Sequence, residues 1–226
     1  MIADVKHAGQ FTGIGSPTSE VWLMDCMEGM MQYPDNHFDL AVIDPPYKNE
    51  FNIPASDKAA KVKKHYNLGS LNTSSPNKQY FIELKRVSKN QIIWGVNYYK
   101  YYLGAGRIVW DKDNTGVYSD CELAYHSFSD VTRKYKYRWN GMLQGNMKDK
   151  EHRIHPTQKP VALYDWIFHN YAKQGDLILD THLGSGSSRI AADKGGLSFV
   201  GFEIDKEYFD AANKRFDRYK QQLRMF

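Results

Sequence analysis

The chain has 226 residues, with 25% charged, 42% hydrophobic and a formal net charge of +4, which is the composition of an ordinary globular protein. Cys26 and Cys121 are too few for a disulfide framework or a zinc ribbon, so a reducing, cytoplasmic setting is expected. No stretch approaches 18 apolar residues, and the first fifteen have no apolar core of signal-peptide length, so neither a membrane span nor secretion is expected.

Hydrophobic periodicity predicts strands that alternate with helices along the chain. Strands are predicted at 20–24, 39–43, 91–96, 106–111, 122–128, 176–180 and 197–204. Helices are predicted near 26–32, at 78–88, from Pro160 to Gly175, at 188–194 and from about 206, with a long loop at 48–77. Continuous apolar runs joined by helices favour a mostly parallel sheet covered on both faces. The sequence therefore predicts a single α/β domain over residues 1–226.

Two basic segments interrupt this pattern. Residues 131–153 hold seven Lys or Arg against two acids, and their cations alternate with aromatic residues. The cations could contact nucleic-acid phosphates while the rings stack, or the segment could be an edge strand with solvated charges. The Lys-rich segment 58–66 could likewise clasp DNA or simply belong to the loop.

The tetrapeptide Asp44-Pro45-Pro46-Tyr47 follows the strand predicted at 39–43. Neither proline has an amide hydrogen, so the segment presents acceptors, the Asp44 carboxylate and the Pro45 carbonyl, beside an aromatic ring. Two such acceptors can hold the hydrogens of a planar amine and stabilise the positive charge that grows as its nitrogen attacks a methyl group. Tyr47 would stack on the ring that bears the amine. The alternative is a capped, rigid turn without a ligand.

A glycine-rich turn follows the strand predicted at 176–180. That strand ends at Asp180, Gly184 and Gly186 form the turn, and the strand after the next helix ends at Glu203. In open sheets such glycines let the backbone approach a nucleoside, and the later acid accepts hydrogen bonds from ribose. An acid beside the turn favours a cationic head, such as the amino group of S-adenosylmethionine, over a phosphate. A glycine-rich connection without a ligand is the alternative.

Together these motifs resemble those of the nucleic-acid amino-methyltransferases, in which DPPY ends a core strand and a D-x-x-x-G-S-G turn binds the cofactor. Here DPPY precedes the turn, and HPTQKP at 155–160 lies just upstream of the turn. This circularly permuted order is similar to that of beta-class DNA methyltransferases. The resemblance implies a three-layer Rossmann-like S-adenosylmethionine-dependent methyltransferase fold. It also implies target-recognition loops within about 48–77 and 129–154.

The resemblance and the basic segments give three sets of candidate residues. The catalytic set is Asp44, Pro45, Pro46 and Tyr47. The cofactor-binding set is Asp25, Cys26, Asp44, His155, Thr157, Lys159, Asp180, Thr181, Gly184, Ser185, Gly186, Ser187, Glu203 and Ile204. The DNA-binding set is Lys48, Lys61, Lys63, Lys64, Arg133, Lys134, Lys136 and Arg138. In the family, the HPTQKP segment closes over the methionine end of the cofactor, and Asp25 and Cys26 match positions near its adenine.

One departure from the family lies in the turn, which reads DTHLGSGSS where the family usually has Pro and Phe after the aspartate. Thr181 and His182 would remove a ring from beside the cofactor and alter its affinity. Asp rather than Ser before the two prolines resembles the adenine-specific members.

The resulting expectation is a site-specific DNA adenine-N6 methyltransferase of a bacterial or phage-infected cell, with S-adenosylmethionine as cofactor and double-stranded DNA as partner. The alternatives are cytosine-N4 methylation, glutamine methylation of a protein, and a catalytically silent DNA-binding partner of the same fold. No metal is expected, because no pair of histidines has further zinc ligands at a suitable spacing. Enzymes of the family often dimerise, so a homodimer is one assembly open to the chain.

Overall fold

The computed structural model describes residues 16–47, 75–114, 119–140 and 143–223. The strands in these ranges are β1 (Ser19–Leu23), β2 (Phe38–Ile43), β3 (Ser88–Trp94), β4 (Arg107–Asp111), β5 (Cys121–His126), β6 (Thr132–Lys136), β7 (Trp139–Asn140), β8 (Leu143–Gln144), β9 (Leu177–Asp180) and β10 (Ser198–Glu203). The helices are α1 (Cys26–Met30), α2 (Lys78–Val87), α3 (Val161–Tyr171), α4 (Ser187–Lys194) and α5 (Lys206–Leu223), and a short 3-10 helix spans Val96–Tyr98.

Eight of these strands form one sheet in the order β1-β10-β9-β2-β3-β5-β4-β6. Every neighbouring pair is parallel except the two pairs that involve β5, which runs antiparallel to β3 and to β4. The two short strands β7 and β8 form a separate antiparallel pair. The mostly parallel sheet predicted from the sequence is therefore confirmed.

Helices cover both faces of this sheet. Along β2, Leu40 and Val42 belong to one buried core, which includes residues of α3, α4 and α5. Ala41 and Ile43 belong to a second core, formed with α1 and α2. Because successive side chains of a strand point to opposite faces, the two cores lie on opposite sides of the sheet. The result is the three-layer α/β arrangement that the alternating pattern predicts.

Two details of the helices differ from the sequence prediction. Helix α3 ends at Tyr171, because Ala172 already has an extended backbone, and Gly175 lies in the following turn with a φ of 89°. The spacing of apolar residues along the last helix predicts Leu223 on one face with Tyr208, Ala212 and Phe216. Those three are buried, but Leu223 is 53% exposed. Both differences concern helix ends, where the apolar pattern is weakest.

Candidate active site

The predicted catalytic stretch and glycine turn meet at one edge of the sheet. Strands β2 and β9 are parallel neighbours, with Leu40 paired with Ile178, so Asp44 after β2 and Asp180 at the end of β9 lie at the same edge. From this pair the chain continues outward in opposite directions, to β10 on one side and to β3 on the other. Open α/β sheets bind ligands at such a switch point, outside the carboxyl ends of the strands.

The two carboxylate oxygens of Asp44 have different surroundings. Oδ2 accepts a hydrogen bond of 2.5 Å from Lys159 Nζ. Oδ1 is buried and has no hydrogen-bond partner among the described residues. Burial raises the pKa of the Asp44 carboxyl, although Lys159 opposes that shift. A buried carboxylate oxygen normally has a hydrogen-bond partner. The unpaired Oδ1 is therefore an acceptor that a bound donor could use.

The Pro45 carbonyl is the second predicted acceptor. The Tyr99 hydroxyl donates to it at 3.1 Å and also lies 3.0 Å from the Trp94 carbonyl. A hydroxyl has one hydrogen, so Tyr99 shares it between two carbonyls. Since a carbonyl oxygen has two lone pairs, the Pro45 oxygen can still accept another donor.

The ring of Tyr47 stacks on Tyr98 rather than standing open. The two ring centroids are 4.4 Å apart and the planes differ by 4°. Gly95 lies against the same ring with a φ of +76°, and a Cβ there would come within 2.6 Å of Tyr47. Tyr98 is 44% exposed, so it covers one face of Tyr47 from the solvent side. A base that stacks on that face has to displace Tyr98.

The glycine turn is fixed by hydrogen bonds within the protein. Gly184 and Gly186 have φ values of 50° and 69°, in the region that favours glycine. The Gly184 N–H donates to Glu203 Oε2 at 2.8 Å. Asp180 accepts from the His182 N–H at 3.0 Å and from the Ser188 hydroxyl at 2.5 Å. Both acids thus hold the turn in shape, and each carboxylate retains lone pairs for a further donor.

Thr181 and His182 are part of an aromatic cluster. The Tyr80 hydroxyl lies 2.6 Å from Thr181 Oγ1, which lies 2.9 Å from His182 Nδ1. The Tyr80 and His182 rings meet edge to face at 5.7 Å. Burial lowers the pKa of His182 to about 4, so its ring is neutral at pH 7. Two rings, those of Tyr80 and His182, are therefore present at the turn. The loss of a ring from beside the cofactor, and its effect on affinity, stay predictions.

The HPTQKP segment reaches the glycine turn at one end and Asp44 at the other. The His155 ring lies beside Gly184 and 4.3 Å from the Tyr208 ring, and Thr157 Oγ1 lies 3.1 Å from His155 Nδ1. Burial lowers the pKa of His155 to about 4. Lys159 is buried against Asp44 and Glu122, and its predicted contact with the cofactor stays a prediction.

The remaining predicted cofactor residues lie around β1, β10 and the start of α4. Asp25 Oδ1 caps α1 by accepting from the Met27 N–H at 2.7 Å. Burial raises the pKa of the Cys26 thiol to about 12, so it stays protonated. Ile204, after β10, is 59% exposed. The Ser185 and Ser187 hydroxyls are buried and lie 3.1 Å apart.

Of the predicted DNA-binding cations, Lys48, Lys61, Lys63 and Lys64 lie outside the described residues. Strand β6 carries Arg133, Lys134 and Lys136 at the sheet edge, with Tyr135 packed against the core. Lys134 pairs with Asp111, and both Lys136 and Arg138 pair with Asp113. Three of the four predicted cations within the described residues are therefore partly neutralised.

Sequence reasoning missed Glu122 and Lys112, which complete the charged surroundings of Asp44. Glu122 lies 2.9 Å from Lys159 Nζ and also pairs with Lys112. The available signal was an acid near the start of an otherwise apolar strand, CELAYH. An acid in such a run is often buried against a cation. Its partner could not be read from the sequence.

Within the described residues there is no cluster of three or more His, Cys, Asp or Glu arranged to hold a metal ion. A search of the same residues finds no helix of the length and apolarity needed to cross a membrane.

Residues 109–214 match a family model described as DNA methylase. The Type II methyltransferase M2.DpnII of Streptococcus pneumoniae is 32% identical over 133 residues, which cover 49% of this chain and 50% of the relative. M2.LlaDCHI of Lactococcus lactis subsp. cremoris is 30% identical over 134 residues, with the same two coverages. The chain spans about half the length of these curated relatives. Over residues 109–214, slightly under half of its length, the chain is therefore similar to the DNA methylase family.

Solved structures show the same fold. A complex of M1.HpyAVI with SAM superposes with a TM-score of 0.54 and 20% identity, covering 88% of this chain and 100% of that one. The PvuII DNA methyltransferase, which is cytosine-N4-specific, superposes with a TM-score of 0.58 and 12% identity. The match covers 89% of this chain and 87% of that one. These likenesses confirm the α/β Rossmann-like fold. The permuted, beta-class motif order stays a prediction.

Proposed function

We propose that the chain is a site-specific DNA adenine-N6 methyltransferase that uses S-adenosylmethionine. The observation that carries the proposal is the buried Asp44 Oδ1 oxygen, which has no partner among the described residues. It lies beside the Pro45 carbonyl, at the edge of the sheet where the glycine turn also lies. Two acceptors without a competing amide hydrogen suit an aromatic amine.

The glycine turn fits the proposed cofactor. Gly184 and Gly186 have left-handed backbones without side chains, which permits close approach of a ligand. Asp180 and Glu203 supply carboxylates beside the turn for an amino group and for ribose hydroxyls. When bound, S-adenosylmethionine would supply a methyl group carried on a positively charged sulfur. The carbon–sulfur bond would break as the methyl carbon bonds to the target nitrogen.

The residues of this chain act on the target amine. Asp44 Oδ1 and the Pro45 carbonyl accept its two hydrogens, which directs the nitrogen lone pair and stabilises its growing positive charge. The proton is then lost to water. Tyr47 exchanges its contact with Tyr98 for the target base, and this stacking offsets part of the cost of extruding the base from the duplex.

The wider assignments belong to the same proposal. Residues 129–154, including the β6 cations, contact double-stranded DNA. Adenine is favoured over cytosine because Asp44, and not Ser, precedes the two prolines. The protein acts in the cytoplasm of a bacterial or phage-infected cell, and homodimerisation remains a prediction.

The test is methyl transfer from tritiated S-adenosylmethionine to unmethylated bacterial DNA, followed by chromatography of the nucleosides. The expected product is N6-methyladenine at one sequence context. N4-methylcytosine as the sole labelled nucleoside would overturn the choice of base. DNA binding without uptake of S-adenosylmethionine by calorimetry would favour a silent DNA-binding partner.

A further inference from the structure

Behind Asp44 lies a row of four charges that alternate in sign: Asp44, Lys159, Glu122 and Lys112. Lys159 Nζ lies 2.5 Å from Asp44 Oδ2 and 2.9 Å from Glu122 Oε2. Glu122 Oε1 forms an ion pair with Lys112 Nζ. The Lys159 side chain is only 3% exposed, and the other three are at most 22% exposed. The row has no net charge, which is how charged groups become tolerable in a buried position.

The direction of β5 brings this row together. Strands β2 and β4 run parallel and end at the same edge, whereas β5 runs antiparallel, so its first residues lie at that edge too. Asp111, just before Lys112, pairs with Cys121, just before Glu122. Lys159 enters from the segment before α3. Residues from separate parts of the chain therefore converge behind Asp44.

Lys159 is held between two carboxylates. Its ammonium has three N–H donors and directs one of them to Asp44 Oδ2. Its contact with Glu122 is short, but Glu122 Oε2 has no directed hydrogen bond, so this attraction is mainly electrostatic. Without the Glu122 charge, Asp44 would be the principal anion at Lys159, and the ammonium could move across both of its oxygens.

We infer that Glu122 is a positioning residue for methyl transfer: it draws Lys159 toward β5, keeps the ammonium on Asp44 Oδ2, and leaves Oδ1 unpaired, as the acceptor for the target amine. This inference rests on the proposed function. Glu122 does not contact the target, because it acts through Lys159.

The charges of the row shift the pKa of Asp44 in opposite directions. Burial is the largest cause that raises the pKa of Asp44; Glu122 raises it further, whereas Lys159 and Lys112 lower it. The other titratable groups that interact with Asp44 are Tyr47, Tyr99, Tyr164 and Asp180. Burial also disfavours the Glu122 anion, but Lys159 and Lys112 outweigh it and lower the Glu122 pKa to about 2. Glu122 thus remains charged wherever Asp44 titrates.

The test compares kcat for methyl transfer against pH in wild type, Glu122→Gln and Lys112→Gln, with exposed Glu207→Gln as control. Glu122→Gln should lower kcat about tenfold or more, as removal of a supporting residue does, and leave the KM for S-adenosylmethionine unchanged. The acidic limb of the kcat–pH profile of Glu122→Gln should move to lower pH, because Asp44 loses a neighbouring negative charge and its pKa falls. Lys112→Gln should move that limb to higher pH, and Glu207→Gln should not move it.

Acidic limbs that stay in place, or that move in the same direction in both variants, would overturn the inference. If Glu122→Gln does not fold, the pH profile of Lys112→Gln is the deciding measurement. An acidic limb at the wild-type pH in that variant would overturn the inference. A wild-type protein that transfers no methyl group would refute the proposed function instead. In that case, carboxyl NMR titration of Asp44 in wild type and Lys112→Gln tests the row without activity, and an unchanged Asp44 pKa overturns it.

Discussion

Asp44 shows how one side chain can serve both the fold and a ligand. Its Oδ2 oxygen is paired with Lys159, while Oδ1 is buried without a partner among the described residues. An unsatisfied buried acceptor costs about 1–3 kcal/mol. A site that retains such an acceptor recovers this free energy when a donor binds. The asymmetry of Asp44 is therefore the local feature from which the proposed chemistry follows.

Asp180 makes a pH-dependent contribution to stability. Burial is the main reason that its pKa is raised from 3.8 to about 7, and Asp44 and Glu203 add to the shift. The folded state consequently binds this proton more tightly than the unfolded chain does. Stability from this group is complete below pH 4 and is lost as pH rises from about 4 to about 7.

Asp180→Asn should remove this pH dependence while keeping an acceptor for the His182 N–H and a donor for Ser188. Its Tm relative to wild type should therefore rise between pH 4 and pH 8, as measured by thermal melts across that range. Exposed Asp210→Asn, which breaks a surface pair with Lys206, is the control and should run parallel to wild type. A parallel curve for Asp180→Asn would mean that Asp180 is ionised throughout.

Strand β6 and the residues just after it carry cations whose charge the segment after β4 partly cancels. Lys136 lies 2.7 Å and Arg138 lies 2.5 Å from Asp113, and β6 ends at the same edge of the sheet as β4. Asp113 has a φ of 49°, a conformation that Asn tolerates as well as Asp. Asp113→Asn therefore removes the carboxylate that pairs with Lys136 and Arg138 without changing the backbone.

If β6 contacts phosphates, Asp113→Asn should tighten DNA binding and steepen its salt dependence. Replacing Lys136 and Arg138 with Gln should weaken binding and flatten the slope, by about 0.9 for each phosphate that the variant no longer neutralises. Fluorescence anisotropy with duplex DNA at several salt concentrations measures both. Slopes equal to wild type in both variants would mean that β6 faces away from the duplex.

Sequence patterns predicted the features of the fold that depend on residues close together in the chain. Strands β2 and β9 are largely apolar runs that lead to an acid, Asp44 after β2 and Asp180 at the end of β9, and the sequence predicted each within one residue of its observed bounds. The turn glycines were predictable because only a residue without a side chain tolerates positive φ easily.

Contacts between distant segments could not be predicted in the same way. Lys159 and Asp44 are 115 residues apart in sequence, and no spacing rule relates them. The stack of Tyr47 on Tyr98 and the pairing of β6 cations with Asp111 and Asp113 likewise depend on the order of strands in the sheet. A charge run predicts exposure, but its partners are set by the tertiary fold.

Asp44 is proposed to bind the target amine and to take little part in binding the cofactor. The most direct measurement is Asp44→Asn against wild type, with S-adenosylmethionine affinity from calorimetry and the rate of tritiated methyl transfer to unmethylated DNA. We expect the rate to fall about 100-fold or more, the reduction typical of removing a preorganised transition-state interaction, with cofactor affinity unchanged. Turnover at the wild-type rate in Asp44→Asn would contradict the account.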